Sequence, residues 1–216
     1  MPIPQIKCLH TGKLFDYKIK DGIDLVLHLD MHHQWSIEKN SILRDALSTA
    51  AKVDPDVLVN QQKIYDLMIS HNLADFNWDW LNKLATYKTD EHIWFYLIID
   101  GSVQAICLLQ HPKKSVLDDA DIFYIHYIAC AYTNRNRPNF KRRFGELGTI
   151  LIKHTLSYVH KMFGYRLGCS LHAIPTAEKF YLKLKMTPLG KDPDHENLEH
   201  FEASEAVAID LIGATI

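Results

Sequence analysis

RRFGELGTILIKH, residues 142–154, is the stretch on which the fold turns. Gly145 and Gly148 separate a basic run from an apolar pattern at helical spacing, with Leu147, Ile150, Leu151, Tyr158, Val159 and Met162 on one face. The first N–H groups of a helix have no internal partner and carry partial positive charge. A loop of backbone amides that opens a helix is therefore an anion site. The expectation is that this loop holds the pyrophosphate of a nucleotide cofactor.

Upstream lies DIFYIHYIACAY, residues 121–132. It is almost continuously apolar and aromatic, which predicts a strand covered on both faces. Before it, HIWFYLII and SVQAICLLQ flank Asp100-Gly101, the pattern of a hairpin with a tight turn. The linker TNRNRPNFKRR, residues 133–143, carries five basic residues. Most such runs are solvated charge, but its place before the glycine loop favours phosphate contacts from Arg142 and Arg143. Downstream, Gly164 suits a helix end and RLGCSLHAI, residues 166–174, reads as a strand. Pro175 can open a helix whose apolar stripe is Ala177, Phe180, Tyr181 and Leu184. Residues 187–199 read as polar loop. HFEASEAVAIDLI, residues 200–212, reads as a strand passing into a helix, and that strand could pair across a two-fold axis.

The N-terminal part is helical in pattern. Helices are expected at 41–51, capped by Asn40-Ser41, after Pro55, and from Phe76 to about Tyr87, with Trp78 and Trp80 as packing anchors. FDYKIKDGIDLVLHLD, residues 15–30, alternates about Asp21-Gly22 and suggests a hairpin or one strand. His32-His33 falls in what reads as a solvated loop.

Composition bounds function. The chain has 216 residues, 47% apolar and 23% charged, with a formal net charge of -2. That is enough for one sizeable core, and it gives no whole-molecule field to recruit DNA or an anionic membrane. Cys8, Cys107, Cys130 and Cys169 show no C-x-x-C spacing, so buried thiols in a reducing compartment are expected. No apolar leader or spanning segment is visible, which predicts a cytoplasmic protein. The histidines are scattered and no metal site is expected; His172 receives no catalytic role. One α+β domain covers 1–216, with strand and helices in 1–90 on the acceptor side and a cofactor-binding core in 91–216.

The order strand, strand, strand, glycine loop, helix, strand, helix, strand resembles the GNAT superfamily of acyl-CoA N-acyltransferases, in its bacterial branch. The family signature is Arg/Gln-x-x-Gly-x-Gly/Ala. In the register starting at Arg143, Gly148 takes the second glycine and Glu146 stands where the first belongs. The next helix of the family reads Asn-x-x-Ala-x-x-x-Tyr-x-x-x-Gly-Phe. Ala177 and Tyr181 match it; Lys185 and Met186 replace Gly and Phe.

The resemblance implies a mixed, strongly twisted sheet flanked by helices, an α/β/α sandwich, splayed beside the strand that ends near Tyr132. It implies acetyl-CoA as acyl donor and direct attack by a primary amine in a ternary complex. The cofactor set it implies is Cys130, Ala131, Tyr132, Arg142, Arg143, Phe144, Gly145, Glu146, Leu147, Gly148, Thr149 and Ala177. A backbone N–H near Cys130 to Tyr132 would stabilise the oxyanion. Tyr181 is the implied acid for the leaving thiolate, and His126 or Glu202 the base for the amine. The acceptor would be a small-molecule or peptide amine. Two other readings stay open: a GNAT-like interaction module without catalysis, and an acyltransferase acting on protein or aminoacyl-tRNA.

Overall fold

The computed structural model describes residues 3–213. Eight strands form one mixed sheet: β1 (Gln5–Lys7), β2 (Leu14–Asp21), β3 (His92–Ile99), β4 (Ser102–Lys114), β5 (Asp121–Cys130), β6 (Cys169–Ala173), β7 (Thr187–Asp192) and β8 (Leu198–Ala203). Their order in space is β1-β2-β3-β4-β5-β6-β8-β7. Helices α1 (Leu25–Ala51), α2 (Gln61–Ser70) and α3 (Trp80–Thr86) precede the central strands. Helix α4 (Leu147–Phe163) joins β5 to β6, α5 (Glu178–Lys183) follows β6, and α6 (Glu205–Ile212) ends the described chain. This is the α+β arrangement expected from the sequence. No helix among the described residues is long and apolar enough to cross a membrane.

Both faces of the central strands are covered, so Trp94 to Ile99 are buried without a break. Phe95, Leu97, Cys107 and Ile125 pack under Leu151 and Ile152 of α4. Trp94, Tyr96, Ile106 and Leu108 pack against Met31 and Trp35 of α1 and Trp80 of α3. The β3–β4 turn places Asp100 at φ 52° and Gly101 at φ 76°, the two left-handed residues that a tight hairpin needs.

One register decides where a ligand can enter. β5 and β6 run parallel and pair only at Phe123↔Cys169, Tyr124↔Ser170 and Ile125↔Leu171. β5 keeps β4 as its partner as far as Cys130. Past Ile125 the edge of β5 that faces β6 has no strand partner, and the two strands part.

Strict alternation along β5 would put His126 on the face of Tyr124, Ile128 and Cys130; a bulge changes that. Leu108 pairs with Tyr127 and Leu109 with Ile125, which leaves His126 as the extra residue. Alternation reverses there. His126 and Tyr127 share the side of Tyr124, whereas Ile128 and Cys130 turn to the α4 side.

The N-terminal expectations also change. β2 ends at Asp21, and α1 is one helix of 27 residues whose N-cap is Asp24, accepting from Leu27 N–H at 3.0 Å. His32-His33 is inside that helix, and Asn40-Ser41 caps nothing. The core-facing residues His28, Met31, Trp35 and Ala46 are separated by enough polar ones to mask the period. His28 is buried and satisfied, with Nδ1 3.0 Å from Tyr96 Oη and Nε2 2.8 Å from the Trp80 carbonyl. At the other end, β7 forms inside the predicted polar loop and takes the sheet edge. β8 is held between β6 and β7, so it has no free edge for pairing across a two-fold axis.

Candidate active site

Where β5 and β6 part, a cleft of about 670 Å³ opens. Ile128, Ala129 and Cys130 form one wall, and Ile174, Thr176 and Ala177 the other. Glu146 to Thr149 close one end, Tyr181 and Phe180 lie along it, and Asp75 and Trp78 border it.

The glycine loop supplies donors. Arg142 N–H donates to Asn136 Oδ1 at 3.1 Å, Arg143 N–H to the Thr133 carbonyl at 3.0 Å, and Phe144 N–H to Asn134 Oδ1 at 3.1 Å. The first bond of α4 runs from Ile150 N–H to the Glu146 carbonyl at 2.9 Å. Between them, the amides of Glu146, Leu147 and Thr149 donate to nothing among the described residues, while that of Gly145 faces the Lys7 carbonyl across the Cys8–Phe144 bridge and that of Gly148 points at the Cys130 sulfur. Consecutive free N–H groups at a helix start form a cradle for an anion. Arg142 lies against it: a Cβ at Gly145 would sit 3.4 Å from its guanidinium. A Cβ at Gly148 would sit 3.3 Å from the Phe180 ring.

Glu146 holds a left-handed backbone of the kind that favours glycine, at φ 59° and ψ 8°, and its exposed side chain caps nothing. Lys185 does the same at φ 61°, and Met186 fills the core in place of Phe, 2% exposed.

Of the cofactor set, Cys130, Arg142, Phe144, Glu146, Leu147, Gly148, Thr149 and Ala177 line the cleft. The structure does not bring Ala131, Tyr132, Arg143 or Gly145 to its wall. Ala131 and Tyr132 are buried, with Arg135 stacked on the Tyr132 ring. Arg143 stacks on Phe15 and Phe144. Gly145 stands beside the wall, with its amide turned to the Lys7 carbonyl across the Cys8–Phe144 bridge.

Tyr181 is 5% exposed, set between Phe180 and Phe201. Its hydroxyl makes no hydrogen bond among the described residues. Burial, then the nearby thiols of Cys107, Cys169 and Cys130, push its phenol well above the ordinary value, so it stands at neutral pH as a donor at the cleft.

Neither expected base lines the cleft. Glu202 is fully buried and accepts from Ser115 Oγ, from Val116 N–H at 2.9 Å and from Arg166 Nη2 at 3.3 Å. A carboxylate so engaged pins the β4–β5 connection to β8. His126 donates from Nε2 to Gln110 Oε1 at 3.0 Å and sits among Tyr87, His92 and Tyr127. Burial, then His92 and His195, hold it down at about 4.

A polar chain that the sequence did not reveal sits where the strands part. Tyr124 Oη lies 2.8 Å from His172 Nδ1, and His172 Nε2 lies 3.0 Å from Asp192 Oδ2. The carboxylate can only accept, so Nε2 carries the proton and Nδ1 accepts from Tyr124. Burial, then His195 and His200, push His172 down to about 4. His195 Nδ1 is 2.9 Å from the same Asp192 oxygen. His172, Asp192 and His195 thus offer three ligand atoms within metal-binding reach, although none was expected to gather. The His172 and His195 rings, however, stack at 4.0 Å and 6°. Their lone pairs lie in separate parallel planes, while a metal must sit about 2.0–2.1 Å from each nitrogen. The arrangement fits a hydrogen-bond relay.

Arg135 was also hidden in the charge run. It donates from Nε and Nη2 to the Cys130 carbonyl at 2.9 and 2.7 Å, and from Nη2 to Asp75 at 2.8 Å. It thereby fixes the end of β5 to the N-terminal helices. Its partner lies 60 residues away, beyond the reach of any local pattern.

No protein-family model matches the chain, and no curated protein sequence does. Solved structures do. The chain is similar to a candidate acetyltransferase of the GNAT family from Desulfovibrio desulfuricans, at 10% identity over 88% of this chain and 99% of that one, with a TM-score of 0.49. It is similar to an acyl-CoA N-acyltransferase from Pseudomonas aeruginosa, at 13% identity over 88% and 99%, TM-score 0.47. It is also similar to the AtaT toxin bound to the C-terminus of the antitoxin AtaR and acetyl-CoA, at 14% identity over 66% and 83%, TM-score 0.44. At such identities and TM-scores these likenesses assign no role to any residue here.

Proposed function

We propose that this protein is a GNAT-type N-acetyltransferase, moving the acetyl group of acetyl-CoA to a primary amine by direct attack in a ternary complex. The observation that carries this is the cleft between diverging β5 and β6, closed at one end by the helix-start amides of residues 146–149, none of which donates to a protein oxygen. The amides of 146–149, with Arg142, suit the CoA pyrophosphate. The edge of β5 past Ile125, without a strand partner, offers backbone groups to the pantetheine arm and the thioester carbonyl. Acetyl-CoA supplies the activated acyl group.

The residues around it divide the work. The walls hold donor and amine together, and such positioning is worth roughly 7–11 kcal/mol. Tyr181, neutral and without a protein partner, gives its proton to the departing sulfur. Tyr124 takes the proton of the attacking amine and passes its own to His172 Nδ1, while Asp192 stabilises the imidazolium. The relay joins His126 and Glu202 as a candidate base; like them, it stands outside the residues that line the cleft.

The test is thiol release from acetyl-CoA over a panel of amines, polyamines, amino acids and peptides. At least one acceptor should turn over. Tyr181→Phe should lower kcat by about 10²–10⁴-fold with acetyl-CoA affinity unchanged, the range general acid catalysis supplies. Acetyl-CoA binding without turnover of any acceptor would favour the non-catalytic module.

A further inference from the structure

Lys83 of α3 is half-buried against aromatic rings rather than held in an ion pair. Lys63, Lys114, Lys185 and Lys191 each pair with a carboxylate. Lys83 makes no ion pair among the described residues. Its Nζ lies 3.4 Å from the centre of the Tyr127 ring and 5.1 Å from that of Trp78. The two rings meet edge to face at 5.0 Å, so the amine is lodged in an aromatic cage. That cage shares its wall with the cleft. Trp78 borders the cleft, and Ala129, which also lines it, packs on the same side of β5 as Tyr127; Lys83 itself stands just behind these residues and outside the lining. Burial lowers the pKa of Lys83 below the ordinary lysine value, against the opposing pull of Asp79 and Asp75, so more of it is a neutral amine than of an exposed lysine. Its four-carbon stem is flexible.

We infer that Lys83 is an internal acceptor, a site of self-acylation by the thioester held in the cleft. This rests on the reading of the cleft as an acyl-CoA site. The neutral Nζ adds to the thioester carbonyl carbon and forms the C–N bond. The C–S bond breaks, and the departing thiolate takes a proton from Tyr181. Nitrogen sheds its surplus proton to solvent, which also restores Tyr181. The products are an amide on Lys83 and free thiol. Acylation removes the charge from the cage and leaves an acyl amide at the edge of the cleft.

The experiment incubates the purified chain with acetyl-CoA alone and follows intact mass and peptide maps over time, at several protein concentrations. One acetyl group should appear on Lys83, at a first-order rate independent of protein concentration. It should form at least about a hundredfold faster than on exposed Lys88 or Lys161, because positioning acts on Lys83 alone. Lys83→Arg, which keeps a cation on the rings, should lose the label, and Tyr181→Phe should slow it. Labelling spread evenly over lysines, or undiminished at Lys83 in Tyr181→Phe, would overturn the inference. Calorimetry with acetyl-CoA on the same sample separates the two readings. Binding with Lys83 unlabelled overturns self-acylation alone; no binding overturns the cleft reading with it.

Discussion

Glu146 and Lys185 adopt left-handed backbones at the two positions where the resembled family has glycine. A left-handed residue with a Cβ costs about 1–2 kcal/mol. The surrounding loops thus impose the glycine geometry on residues that do not favour it. Glu146→Gly removes that strain but adds the chain entropy of glycine, about 0.5–1 kcal/mol, so stability should change by about 1 kcal/mol or less. It also removes a carboxylate beside an anion cradle, so the acetyl-CoA Kd should fall several-fold by calorimetry. An unchanged Kd would show that the side chain points clear of the phosphates. His126 and His172 give a second test at this scale. Both are held at about 4, below the ordinary value near 6.5. The unfolded chain takes up these protons near 6.5 and the folded one only near 4. Stability is therefore full above 6.5 and falls as pH drops through that window. Thermal melts should show a steep loss between pH 6.5 and 4, made shallower by His126→Gln. An unaltered slope in that variant would exclude His126 as a source.

At the scale of elements, the functional feature is the parting of β5 from β6, and two buried ion pairs frame it. Arg135 ties the end of β5 to Asp75. Glu202, with Arg166 and Ser115, ties the start of β5 to β8. Removing one partner of such a pair leaves a buried charge and costs about 3–5 kcal/mol. Glu202→Gln should lower the melting temperature accordingly yet leave the pH dependence of turnover intact. A lost alkaline rise would restore Glu202 as a base. Arg135→Met should cost as much stability and also weaken acetyl-CoA binding, because the wall formed by Ile128 to Cys130 loses its anchor. The elements were legible where local chemistry writes them: the Asp100-Gly101 hairpin, the continuous apolar run of β5, and the loop before α4. The bulge at His126 was not, because nothing in YIHYI marks which residue is extra. That single offset moved His126 away from Ile128 and Cys130.

For the molecule as a whole, the order of strands and the crossing helix were readable because each has its own period and punctuation. The site was readable only where it is contiguous, in 142–149 and in 175–186. The relay of Tyr124, His172 and Asp192, the Arg135–Asp75 pair and the cage of Lys83 join segments 20 to 60 residues apart, and only tertiary packing brings them together. The length of α1 was obscured for a related reason: a helix that buries one narrow stripe against a sheet shows a weak period. The central claim is that the free amides at the head of α4 hold an acyl-CoA. Titration calorimetry of wild type and Gly148→Val with acetyl-CoA tests it most directly, with circular dichroism to check that the variant is folded. The added side chain must crowd the Phe180 ring, since its Cβ alone would stand 3.3 Å away. The account predicts one acetyl-CoA bound per chain by wild type, weakened at least about tenfold in the variant, a loss of about 1.4 kcal/mol. Absence of binding by folded wild type, or equal binding by both, would contradict it.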